Sequence, residues 1–89
     1  MSSWTFLSHH AQVFLCVAHD PDVRLRDIAA AVGITERAVQ AIVNDLVAEG
    51  YVDRTRVGRR NHYSVHPDAP LRHRLQGDLD VGTLLRLLG

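Results

Sequence analysis

Apolar residues return at helical spacing in four stretches of this chain, and the residues between them mark where each helix stops. In the first, from Ser8 (or as early as Thr5) to His19, a turn of about 100° per residue places Leu7, Ala11, Phe14, Leu15 and Ala18 on one face. Phe6, Val13 and Val17 form a second stripe roughly opposite, with His10 beside it. A helix that is apolar on two sides is usually sandwiched. The second stripe must therefore meet either the C-terminal segment or another subunit. Asp20-Pro21-Asp22 ends the helix, because proline disfavours helical backbone in the residue before it. Val23-Arg24-Leu25 is short and fits at most a brief strand. Leu25, Ile28, Ala29 and Val32 then follow the i, i+3, i+4, i+7 pattern of a helix over 26–32, and Gly33 stands where a left-handed residue ends it. Thr35 is an N-cap candidate for a third helix with Val39, Ile42, Val43 and Leu46 as its buried stripe, stopped at Glu49-Gly50.

Past Gly50 the period changes. Tyr51 to Val57 and His62 to His66 are rich in β-formers, and Gly58-Arg59-Arg60-Asn61 between them has the length and glycine of a hairpin turn. Pro67 and Pro70 close the second strand, and residues 67–78 read as a linker. Val81, Leu84, Leu85 and Leu88 restore helical spacing behind Asp80 as a cap. The fold class expected is α+β, mostly α: a three-helix core with a β-hairpin wing over residues 1–66, then a linker and short amphipathic helix over 67–89 that serves packing or dimerisation.

Composition narrows the function classes. The chain has 89 residues, room for one domain with a modest core, and 46% apolar content, a globular level. Ten arginines balance ten acids with no lysine, so the formal net charge is zero and a nucleic-acid role must rest on where the charges lie. The start, Met1-Ser2-Ser3-Trp4, lacks the basic region and cleavage site of a signal peptide, and the longest apolar run, Val13 to Ala18, is too short to span a bilayer. A soluble cytoplasmic protein is expected. The single cysteine, Cys16, excludes an internal disulfide and reads as a small buried apolar residue. The six histidines are scattered, and no three or four of them converge as metal binding requires, so no metal or other cofactor is expected. None of the four serines stands in a nucleophile elbow, and there is no glycine-rich phosphate loop, so the chain is not expected to be an enzyme.

The stretch from Leu25 to Leu46 carries the functional signal. Ala29 lets the second and third helices approach, Gly33 permits the tight turn between them, and Ile34 and Val39 anchor both to one core. Helix, turn, helix and hairpin in this order resemble the winged helix-turn-helix regulators of the MarR and ArsR type, over Leu25 to about His66. That resemblance implies a dimeric transcription factor with the third helix in the major groove of double-stranded DNA and the wing near the adjacent minor groove. The chain lacks the long terminal helices of MarR proteins and the paired cysteines of metal-sensing ArsR proteins, and it leaves a small-molecule effector unassigned.

On the third helix, the face opposite the buried stripe holds Arg37, Gln40, Ala41 and Asn44, with Thr35 and Glu36 near its start. Arg37 suits a guanine edge, Gln40 an adenine edge, Thr35 a phosphate, and Asn44 a base or a phosphate. Glu36 either accepts from a cytosine amino group or holds Arg37 in place. In the wing, Arg54, Arg56, Arg59 and Arg60, with Asn61, make a basic cluster opposed only by Asp53. Arg24 and Arg26 could add backbone contacts or pair with Asp22 or Asp27. A homodimer is expected through Phe6, Val13 and Val17 together with Val81, Leu84, Leu85 and Leu88. The alternative is a winged-helix protein-interaction module that does not bind DNA. The two readings part on whether Arg59 and Arg60 project to the side that carries Arg37 and Gln40.

Overall fold

The computed structural model describes residues 4–89. Four helices and one hairpin follow in chain order: α1 (His9–His19), α2 (Leu25–Val32), α3 (Glu36–Ala48), β1 (Val52–Val57), β2 (Arg60–Val65) and α4 (Val81–Leu88), with a single 3₁₀ turn at Arg74–Gln76. The helix starts are set by side-chain caps that satisfy otherwise orphaned amides. Ser8 Oγ accepts from Ala11 N at 3.2 Å, Thr35 Oγ1 from Ala38 N at 3.0 Å and Asp80 Oδ1 from Thr83 N at 3.2 Å. Gly33, at φ 85, ends α2, and the amides of Gly33 and Ile34 both return to the Ala29 carbonyl, at 2.8 and 3.1 Å. These two hydrogen bonds to one carbonyl make the turn into α3 tight, and a left-handed residue is their condition.

The core gathers Val13, Phe14 and Val17 from α1, Ile28 and Ala29 from α2, Val39, Ile42, Val43 and Leu46 from α3, Tyr51, Val52 and Tyr63 from the hairpin region, and Val81 from α4. α1 lies at its centre and touches α2, α3, β2 and α4, which is why it carries two apolar stripes. Its second stripe therefore meets its own chain. Val13 and Val17 are 0% and 1% exposed and Val81 is 6%, so these three are corrected as dimer-interface residues: their surface is already spent inside the monomer. Leu84 and Leu85 are half-buried, while Phe6 (95%) and Leu88 (54%) face outward.

The hairpin pairs antiparallel from Val52↔Val65 to Val57↔Arg60. Its turn is tighter than the four residues expected: only Gly58 and Arg59 lie between the strands, and Arg60 and Asn61 belong to β2. Glycine at the first central position with φ 63 is the pattern of a type II′ turn, whose twist matches that of the strands. Val23-Arg24-Leu25 forms no strand, because Leu25 is already the first residue of α2. A single bond, Tyr63 N to the Pro21 carbonyl at 2.8 Å, stands where a third strand would pair.

Residues 67–80 are pinned to the body. The amides of Val81 and Gly82 reach the Ala69 and Pro67 carbonyls, both at 2.9 Å, Pro70 bridges Asp80, and the Tyr51 hydroxyl donates to the Pro70 carbonyl. α4 is thereby set down on the core through Val81 and the buried Gly82. No helix among the described residues is long and apolar enough to cross a membrane.

Candidate nucleic-acid interface

Burial of Val39, Ile42, Val43 and Leu46 fixes how α3 is rolled. Glu36, Arg37, Ala41 and Asn44 are consequently exposed, and Gln40 is half-buried beside them. Thr35 closes the N-terminus of α3 with its own oxygen, and its hydroxyl proton stays available to an outside acceptor. Arg37 makes no ion pair among the described residues, and its exposed guanidinium has all its donors to offer.

The wing arginines divide into three roles. Arg54 leaves β1 on the sheet face it shares with its partner Tyr63, and its Nη1 donates to Asn44 Oδ1 on α3 at 3.0 Å. The same Asn44 oxygen accepts from Gln40 Nε2 at 3.0 Å. Arg56 folds back along the hairpin, its Nε donating to the Gly58 carbonyl at 3.3 Å, which braces the turn. Arg60 reaches across the edge of β2, its Nη2 donating to the Asp22 carbonyl at 2.7 Å, and His62 Nδ1 lies 2.8 Å from Asp22 Oδ1. With the Tyr63–Pro21 bond, these contacts tie the outer edge of the wing to the turn between α1 and α2.

Arg59 and Arg60 share a surface groove with Glu36, while Arg37 and Gln40 are not among the residues that line it. With Asn61, Arg59 and Arg60 line a groove of about 380 Å³ whose other wall carries Arg24 and Arg26 from the start of α2 and Glu36, the first residue of α3. Four arginines thus line one groove together with Glu36 and Asp22. The chain has zero formal net charge, yet this surface is locally basic. Arg24 and Arg26 belong to it by position, and neither pairs with Asp22 or Asp27 among the described ion pairs. The anchoring role of Pro21 and Asp22 left no mark in the sequence, because it depends on a carbonyl and on the angle between wing and helices. No group of three or more His, Cys, Asp or Glu side chains placed to hold a metal ion occurs among the described residues.

The chain is similar in structure to the PcaV transcriptional regulator of Streptomyces coelicolor in complex with its natural ligand, with TM-score 0.61, 20% identity, and 97% of this chain aligned to 62% of that one. It is similar to FabT of Streptococcus pneumoniae in complex with DNA (TM-score 0.61, 21% identity, 98% and 64% covered) and to ZitR of Lactococcus lactis in complex with DNA (TM-score 0.60, 17% identity, 97% and 62% covered). At these identities the likeness is one of fold, and the chain spans less than two thirds of the length of each. No curated protein matches the sequence. The winged helix built by α1 to β2 agrees with a family model that matches residues 5–60, more than half of the sequence, and the chain belongs to the MarR family.

Proposed function

We propose that this chain binds double-stranded DNA with sequence specificity as a transcriptional regulator, and not as an enzyme, with α3 in the major groove and the wing, residues 54–61, against the backbone or the adjacent minor groove. The observation that carries the reading is the groove where Arg24, Arg26, Arg59 and Arg60 meet the first turn of α3. A phosphate strand entering that groove would meet guanidinium groups on both walls while α3 lies beside it. Arg37, free on the exposed face of α3, takes the guanine edge through its two-pronged donor set. Gln40 and Asn44 follow along the same face, and Thr35 donates to a phosphate at the helix start. Glu36 is the one carboxylate on this wall, and it serves either a cytosine amino group or the positioning of Arg37. Arg56 and Arg60 work first as braces of the wing, with their remaining N–H groups turned to the backbone. FabT and ZitR, similar in fold, have structures in complex with DNA, which supports DNA binding by this chain. Two copies are expected to act together, so that two α3 helices meet successive major grooves about 34–36 Å apart on a near-palindromic site.

The zero net charge favours a second reading, a winged helix that binds protein. Titration of fluorescent duplexes, one carrying the protein's own upstream region and one of random sequence, at two salt concentrations separates the two. The regulator reading expects preference for the upstream duplex and steep weakening with salt. Arg59→Ala/Arg60→Ala is expected to weaken both duplexes about 10- to 100-fold at low salt and to reduce the salt slope by roughly 2. Absence of binding to either duplex at low salt would overturn the regulator reading in favour of the protein-binding module.

A further inference from the structure

We infer that Arg54 is a positioning residue that sets which base α3 reads, by fixing the orientation of the Asn44 amide and, through it, that of Gln40, and that the pattern so presented fits adenine. This rests on the DNA-binding reading above.

The argument is one of hydrogen-bond polarity. A guanidinium can only donate. The Asn44 atom lying 3.0 Å from Arg54 Nη1 must therefore be the amide oxygen, and the amide nitrogen is turned away from the wing. That oxygen also receives Gln40 Nε2 at 3.0 Å, so Gln40 presents its nitrogen to Asn44 and turns its own oxygen elsewhere. A free asparagine or glutamine can exchange its two ends at little cost, since both are polar and similar in shape. Here reversal of Asn44 would set its amide nitrogen, a donor, against the Arg54 donor, a clash that no reversal of Gln40 relieves. Arg54 thus imposes one direction on a chain of three side chains reaching from β1 to α3.

The direction leaves a defined remainder. Asn44 keeps the N–H donors of Nδ2, and Gln40 keeps Oε1 as an acceptor, one helical turn apart on the face that α3 exposes. In the major groove adenine shows an acceptor, N7, beside a donor, the N6 amino group, and a donor–acceptor pair complements it. Guanine shows two acceptors, N7 and O6, and would face the Gln40 oxygen with another acceptor. Thymine offers only an acceptor and a methyl group, and cytosine only a donor. Arg37, one turn earlier and purely a donor, keeps guanine as its fitting partner, so the two ends of the reading face ask for different letters.

The test is selection from a randomised duplex pool by the wild-type chain and by Arg54→Leu, Arg54→Lys, Gln40→Ala and Asn44→Ala, with thermal unfolding of each variant to show that it folds. Wild-type sites are expected to carry, in each half-site, one adenine whose replacement weakens binding about 5- to 150-fold. Gln40→Ala and Asn44→Ala should flatten that position. Arg54→Leu should flatten the same position and no other, and Arg54→Lys, which still only donates, should restore it. If Arg54→Leu instead selects the same letters and merely loses affinity with a salt slope lower by about 1, Arg54 is a plain phosphate contact and the inference is overturned. A guanine or cytosine at the position sensitive to Gln40→Ala and Asn44→Ala overturns it as well, while leaving DNA binding intact. A wild-type pool with no enrichment at all overturns the DNA-binding reading, and the inference falls with it.

Discussion

Burial pushes the thiol of Cys16, on α1, above its ordinary range. Tyr51 shifts the same way, chiefly by burial, with Arg72 opposing and Glu49 adding to the rise. Both groups hold their protons more tightly folded than unfolded, and each contributes stability that is complete below its unfolded pKa and lost as pH rises through the folded one. The melting temperature is thus expected to stay level through the neutral range and to fall from about pH 9 upward, near the ordinary values of a thiol and a phenol; thermal unfolding between neutral and strongly alkaline pH checks it, and a rise over that span would contradict the assignment. Cys16 should also react slowly with alkylating reagents in the native state. Cys16 reads in the sequence as a buried apolar residue, and it is only partly buried against the core. The contact between Arg54 and Asn44 was not legible in the sequence, because it spans a strand and a helix whose mutual angle no local pattern encodes.

At the scale of elements, legibility followed the range of the determinant. The turn from α2 to α3 depends on Ala29, Gly33, Ile34 and Thr35, which are neighbours in sequence, and it was read nearly to the residue. The tip of the wing was read two residues too long, since a Gly-Arg pair closes the hairpin and the following arginine can sit in either turn or strand. The segment after Pro67 read as a linker because what holds it is backbone, the Ala69 and Pro67 carbonyls, which no side-chain pattern reveals. Gly82 shows the consequence. A Cβ there would lie 3.0 Å from the Pro67 oxygen, and that oxygen is held in place by the amide of Gly82 itself. Helix propensity alone favours alanine over glycine by about 1 kcal/mol, yet Gly82→Ala is expected to destabilise the protein by about 1 kcal/mol net, because the first turn of α4 must back away from the body. Chemical denaturation of the variant would show it, and a stabilised Gly82→Ala would mean that residues 67–80 are held less firmly than their hydrogen bonds imply.

For the whole molecule, the sequence could say that α1 is sandwiched but not by what. An apolar stripe is equally satisfied by its own chain or by a second copy, and here Val13, Val17 and Val81 are consumed internally. What remains outside includes Phe6, in edge-to-face contact with Trp4 at 5.3 Å, Leu87 and Leu88 on α4, 77% and 54% exposed, and Val57, Leu75 and Leu79 elsewhere on the surface. If two copies pair as proposed, the Leu87–Leu88 end of α4 is the apolar surface expected to pair them. Sedimentation is expected at twice the chain mass at micromolar concentration, and at the mass of one chain for Leu87→Ser/Leu88→Ser. A double variant that still sediments as the larger species would move the contact to the Trp4–Phe6 end.

The wing's attachment by one backbone bond has a further consequence. Alternation along β2 sends the amides of Asn61 and Val65 toward the same open edge as that of Tyr63, and only Tyr63 finds the Pro21 carbonyl. Such an edge is a template on which another polypeptide can add itself as a strand. Arg60 and His62, reaching over this edge to Asp22, crowd it with charge and bulk. On the proposed reading Arg60 serves both DNA and this edge, so neutralising it to weaken DNA binding is expected to bare the edge to strand addition as well.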